Sequence, residues 1–284
     1  MKNTFIILII SFCYSNFSYQ SLLLPNSTDD LVSGYSQYTI MKQIIYNKKI
    51  ENEVSASIIT LPQDIQINSI NYLSLPYNSI NYFSINIIDY GQFTDSESNT
   101  HFSAKDIIAH NNFIKPFSSN LYGLIGMSYL NSQIENYSSS LLCMRFSFFF
   151  KYNQFLFQSS VNNYGFIINQ YTNYNEVLPT YYSASILFLP KYLNSTVLLQ
   201  HHSFKNYNVT NVFGELFIAT DYSITVGYTS LAQKLHFEDF ENNFFTGFSL
   251  GLNIKYESYK FNIGVKNLGS IGLTHSITLT KLFN

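Results

Sequence analysis

The feature that most constrains this chain is the strict alternation of apolar with polar or small side chains in its C-terminal segments. Over residues 246–256, Thr246, Phe248, Leu250, Leu252, Ile254 and Tyr256 fall on one face, and Gly247, Ser249, Gly251, Asn253 and Lys255 on the other. Phe261, Ile263 and Val265 then oppose Lys260, Asn262, Gly264 and Lys266, and Ile277 and Leu279 oppose Ser276, Thr278 and Thr280. Successive strand side chains point to opposite faces, so each run has one apolar and one polar face. A tilted strand of about 9–11 residues crosses a bilayer, and this period of two is the signature of an outer-membrane barrel. The pattern slips at Lys281 and Leu282, where a lysine can snorkel to the interface.

Composition agrees. Aromatics make up 18% of the chain, with 26 Phe and 24 Tyr but no Trp, and charged residues only 11%. Soluble domains carry about 25% charged residues, so the surface is too poor in charge for a cytosolic protein. Codon bias explains which aromatics occur, not their alternation. A net charge of −2 gives no basic patch, which argues against nucleic acid as a partner.

Residues 1–20 read as a signal peptide: Lys2 leads a short apolar core from Phe5 to Phe12, followed by small residues up to Ser18. That run is too short for a membrane anchor. Phe12 before Cys13 argues against lipidation. Residues 21–34 read as an N-terminal lead and 35–284 as one transmembrane antiparallel β-barrel. With Cys13 removed, Cys143 is alone, so no internal disulfide forms. Candidate strands fall near 35–46, 53–60, 64–73, 80–90, 103–115, 121–132, 138–150, 154–162, 180–189, 195–203, 212–220, 222–230, 245–256, 259–267 and 275–283, with turn residues between them. Longer polar loops at 94–101, 168–177 and 232–243 contrast with tight turns at 151–153 and 257–258, as outer-membrane barrels show.

A more specific signal lies in the middle. Tyr82-Phe-Ser-Ile-Asn-Ile-Ile-Asp-Tyr-Gly-Gln-Phe93 ends a strand on Asp89, Tyr90, Gly91 and Phe93. Next come His101-Phe-Ser-Ala-Lys-Asp106, with Phe102, Ser103, Ala104 and Asp106, and Tyr122-Gly-Leu-Ile-Gly-Met-Ser-Tyr129. Ile134-Glu-Asn-Tyr-Ser-Ser-Ser140 follows, with Glu135, Tyr137 and Ser138, and then Leu178-Pro179. Over residues 80–190 this order resembles the PorV/PorQ family of FadL-like outer-membrane proteins, and within it the branch of the type IX secretion system. The resemblance implies a barrel of about 14 strands without catalytic activity or cofactor. It also implies work through contacts with secretion-system or cell-surface proteins, with the three longer loops presented to them. The family's early Asn-Pro-Ala turn is missing from residues 26–80, which points away from a plug-like N-terminal region.

Read as structure, Gly91 ends a strand or forms a bulge, and Phe102 and Tyr137 are girdle or packing residues. Asp106 is expected on a solvated lumen face, or paired with Lys105 or Arg145. No His-Glu-x-x-His is present, and no Ser-x-x-Lys with supporting motifs. His201 and His202 point to opposite faces of one strand and cannot chelate together. His236, Glu238, Asp239 and Glu241 form an acidic external loop rather than a metal site. The alternative to a secretion component is a FadL-like passive channel for hydrophobic compounds, which an apolar lumen patch and an inserted N-terminal plug would favour. The inward faces read as mostly Ser, Asn, Gly and Lys, which argues against it. A secreted β-sandwich is a third reading, disfavoured by long aromatic strands.

Overall fold

A computed structural model describes residues 19–34, 37–46, 52–76, 79–94, 101–171, 177–231 and 245–283. The signal-peptide reading of residues 1–18 and the acidic loop around His236 lie outside these residues.

Fourteen antiparallel strands close into a barrel. They are β1 (Asn52–Thr60), β2 (Gln66–Ser74), β3 (Ile80–Thr94), β4 (His101–Pro116), β5 (Leu121–Ile134), β6 (Tyr137–Tyr152) and β7 (Phe155–Asn169), then β8 (Tyr181–Phe188), β9 (Ser195–Phe204), β10 (Asn208–Phe217), β11 (Tyr222–Thr229), β12 (Phe248–Tyr256), β13 (Tyr259–Asn267) and β14 (Leu273–Phe283). β1 and β14 close the ring, from Asn52 opposite Phe283 to Thr60 opposite His275. Closure leaves no sheet edge unpaired, which a bilayer requires.

The C-terminal alternation sets the two faces. Leu250, Leu252, Ile277 and Leu279 are exposed on the outside, while Ser249, Ser276, Thr278 and Thr280 are buried in the lumen. Tyr152, Tyr222 and Tyr256 ring the outside at one end, and Tyr137, Tyr182 and Phe245 at the other. At the slip, Leu282 turns inward and is buried, while Lys281 Nζ reaches back to Ser258 Oγ at 2.8 Å and lies 3.9 Å from the Tyr259 ring centroid. Tight turns join strands at that end, with Asn153 and Glu257 in the left-handed region. The three longer connections all fall at the opposite end, although β5 and β6 also meet there in a tight turn at Glu135. β3 to β7 run 14 to 16 residues, against 8 to 11 elsewhere, so this side stands taller.

One expected strand, 35–46, is wrong: its described residues 37–46 do not join the wall. Tyr38–Tyr46 is a helix, α2, and a shorter helix, α1, spans Thr28–Ser33 after a 3₁₀ turn at Gln20–Leu23. The signal for α2 lay in Ile40, Met41, Ile44 and Ile45, which repeat at helical spacing and leave no polar strand face. Ser27 caps α1 by accepting from the Asp30 amide at 3.2 Å, and Gly34 ends it at φ +71°. The first wall strand therefore begins at Asn52, and residues 21–34 lie inside the barrel rather than forming a lead outside it.

Candidate functional site: a plugged lumen with two cavities

The lumen wall is banded. Near the long-loop end Ile59, Ile67, Ile88, Ile108, Leu130 and Leu141 point inward, packed with Leu22 and Leu31 of the N-terminal segment. Near the short-turn end Leu73, Ile114, Leu124, Phe149, Leu198 and Phe213 point inward around α2. Between them runs a polar band that includes Asn71, Asn86, Asn112, Gln158, Ser183 and Gln200. The expectation of an inward face made mostly of Ser, Asn, Gly and Lys is corrected by these two apolar belts, which lie among Ser and Asn on the same strand faces.

The N-terminal segment is a plug, also against expectation, and two kinds of contact hold it. α1 lies on β11 to β13 at backbone distance. A Cβ at Gly227 would strike the Val32 carbonyl oxygen, and one at Gly264 would stand 2.8 Å from Thr28 Cγ2. Hydroxyls and amides complete the contact: Ser249 Oγ donates to Val32 O at 2.8 Å, and the Thr28 amide donates to Thr278 Oγ1 at 3.0 Å. Lys266 Nζ donates to Leu31 O at 3.2 Å.

α2 is held by bulk and by one carboxylate. Tyr38, Ile40, Met41, Ile44 and Ile45 are all buried, worth roughly 10 kcal/mol together at about 1.5–3 kcal/mol per side chain. Glu215 of β10 receives Lys42 Nζ and the Tyr38 hydroxyl, each at 2.6 Å, on one oxygen, and Ser223 Oγ at 2.8 Å on the other. Burial and the neighbouring Glu215 charge push the Tyr38 hydroxyl well above its usual pKa. Lys151 Nζ caps the last turn through Ile45 O at 2.7 Å.

Two cavities stand out among the described residues. The inner one, about 540 Å³, opens toward the short turns and is lined by charged and polar groups including Asp29, Lys42, Glu53, Glu215 and Lys260. Lys260 is paired with Glu53 across 2.8 Å. The outer one, about 290 Å³, has apolar walls of Leu22, Leu24, Leu61, Phe204, Val209 and Leu268. His110, Asn112, Arg145, Asn211 and Lys266 also line it. In the orientation that satisfies its hydrogen bonds, Gln37 Oε1 accepts from Arg145 Nε and Nη1 at 3.2 and 3.3 Å. Asp30 faces this cavity too; burial, reinforced by the Asp29 charge, raises its carboxyl to about 7. Burial likewise raises Asp29.

The sequence motif residues assemble away from these cavities, at the long-loop end of β3 to β6, with Pro179 just before β8. Gly91, at φ +81°, sits in the bulge between Asp89 and Gln92, and Asp89 Oδ1 accepts from its amide at 2.9 Å. Asp106 is buried, neither solvated nor paired with Lys105 or Arg145. It accepts from the Tyr90 hydroxyl at 3.0 Å and from Ser132 Oγ. Phe93 stacks on Phe102 at 5.3 Å, paired in register. Ser103 O and Ser138 O accept from Glu135 N at 3.1 Å and Asn169 Nδ2 at 3.2 Å, respectively. Ala104 pairs with Ile134, and Tyr137 is exposed on the outside. Pro179 O accepts from Asn163 Nδ2 at 3.3 Å.

The cavity residues Tyr82, Lys42, Arg145, Glu215 and Lys266 were not singled out as a site from sequence. The available signal was charge inside an alternating strand, as at Glu215. Gly247-Phe-Ser-Leu-Gly251 also spells Gly-x-Ser-x-Gly. It runs from Gly247 along β12 rather than around a strand-to-helix elbow, and its Ser249 hydroxyl is spent on Val32 O.

No family model and no curated protein sequence matches the chain. Solved structures match its fold. The CymD monoaromatic hydrocarbon channel is 10% identical at TM-score 0.63, covering 92% of this chain and 98% of that one. The Pseudomonas putida toluene transporter TodX is 7% identical at 0.54, covering 86% and 92%. The Ralstonia pickettii toluene transporter TbuX is 6% identical at 0.56, covering 84% and 91%. At such identities the likeness is one of fold: a closed FadL-like barrel of 14 antiparallel strands.

Proposed function

We propose that this protein is a non-enzymatic passive channel for small apolar compounds, set in the lipid of a Gram-negative outer membrane with its long-loop end outward. The outer cavity carries this reading. It opens toward the end that faces the cell exterior in such barrels, and apolar side chains of the plug and the strands line it. Its 290 Å³ lies at the small end of ligand sites, suited to a molecule of about one aromatic ring. CymD, TodX and TbuX, named for monoaromatic hydrocarbons or toluene, lend the reading the support of a shared fold. The test is displacement of an environment-sensitive apolar fluorophore from the solubilised barrel. Toluene should displace it, and Val209→Trp, which fills the cavity, should abolish both dye binding and displacement. Dye that stays bound under saturating toluene would sink the reading.

A second reading, that of a type IX-like secretion component working through protein contacts, has its own observation. The motif residues resembling the PorV/PorQ family cluster where β3 to β7 exceed the roughly 9–11 residues a membrane strand needs. Affinity purification from the host's outer membranes would then recover a cell-surface partner. A barrel that purifies alone counts against it.

A further inference from the structure

We infer that Tyr82 is the size-selecting residue of the pathway, the movable partition between the outer and inner cavities. This rests on the channel reading. Among the described residues Tyr82 alone lines both cavities. Its register partner on β4 is Asn112, an outer-cavity residue. Its hydroxyl donates at 3.0 Å to Asn71 Oδ1, and Asn71 lines the inner cavity. The ring therefore spans from one chamber to the other.

The ring is buried in the apolar cluster that packs around α2, and amides brace it against the plug. Asn71 Nδ2 donates to Asn26 O at 3.4 Å, and Asn86 Nδ2 donates to Asn26 Oδ1 at 2.7 Å. These amides hold the residues just before α1 beside the ring. Three routes could join the chambers: displacing α2, displacing α1, or turning Tyr82. Displacing α2 exposes five buried apolar side chains and breaks the Glu215 cluster. Displacing α1 strips its backbone and side-chain hydrogen bonds from β11 to β14. Turning Tyr82 breaks one neutral hydrogen bond and unpacks one ring from the cluster around α2, and it leaves both helices seated. A single χ1 rotation is the least costly of the three, so the ring governs what passes.

The test uses the full chain reconstituted in liposomes, with arabinose entry followed by swelling. If the open state requires breaking the Tyr82–Asn71 bond, Tyr82→Phe raises entry between about twofold and about tenfold, and Tyr82→Ala raises it further. In a Tyr82→Cys, Cys143→Ser background, alkylation with a benzyl reagent should return entry toward the wild-type rate. Lys42→Met, which loosens α2 and leaves Tyr82 in place, should change entry less than Tyr82→Ala. The inference is overturned if Tyr82→Ala, still heat-modifiable on a gel, conducts as the wild type does, or if Lys42→Met opens the barrel as widely. Toluene displacement of the apolar dye separates the two claims. Toluene binding without a Tyr82 effect removes the gate alone. A Tyr82 effect without toluene binding removes the hydrocarbon reading and leaves the gate.

Discussion

The two walls of the lumen hold the same plug by opposite means. The wall built from β11 to β14 presents Gly227, Gly251, Gly264, Thr225, Ser249 and Thr278, and it takes α1 at backbone distance. The wall from β2 to β10 presents Leu73, Ile114, Phe149, Leu198 and Phe213, and it takes α2 by filling volume. On the first wall any added atom is a clash; on the second any lost atom is a void. The plug can thus be pinned at α1 and α2 while a side chain between them moves.

Three experiments would break or sharpen this comparison. The largest effect is expected from Asp30 on the α1 side. Its carboxyl is raised to about 7 by burial, so the docked plug binds a proton more tightly than the undocked chain does. The stabilising contribution is fully present below pH 4 and lost as pH rises through about 7, by at most about 4 kcal/mol. His110, Arg145, Lys266 and His202 line the same cavity and will shape the curve. Hydrogen exchange of residues 19–34 and 37–46, corrected for the intrinsic rise of amide exchange with pH, should quicken between pH 4 and 7 in the wild type, and Asp30→Asn should flatten that corrected slope. An unchanged slope would mean another group sets it.

The next effect comes from the α2 side. Ile44→Ala opens a void among fully packed neighbours and should cost about 3 kcal/mol of docking, read as faster proteolysis at α2 with α1 still protected. Smallest is Gly227→Ala, which adds one methyl where the Val32 carbonyl already sits and should cost about 2 kcal/mol. Its signature is the mirror image, with α1 released first. If shrinking Ile44 and enlarging Gly227 both release the same helix first, the plug is one rigid unit and the contrast between walls is void.

The wall strands were legible because a membrane barrel writes its two environments into alternate residues. Each of the 14 wall strands overlaps an expected strand, and Ile277 and Leu279 face out where the pattern put them. The plug was not legible in the same way. Tyr38-Thr-Ile-Met-Lys-Gln-Ile-Ile-Tyr46 is apolar enough to pass for a strand, and its helical spacing gains weight only inside a closed lumen, where Ile40, Met41, Ile44 and Ile45 bury one face and Thr39, Lys42 and Gln43 line the inner cavity with the other. Asp106 misled for a related reason: a charge on an inward face reads as solvated, and the Tyr90 and Ser132 hydroxyls that satisfy it stand on other strands.

By itself, then, the sequence determined a closed barrel and its two faces, because period-two patterning is local and each strand carries its own record of lipid and lumen; the count of 14 came from the closed ring, which left residues 37–46 out of the wall. Only the tertiary structure decided what fills the lumen. Where α1 meets Gly227, where Lys42 and Tyr38 converge on Glu215, and where Tyr82 divides two cavities are contacts between residues more than a hundred apart or across the barrel. Ring closure, not any local pattern, brings them within bonding distance.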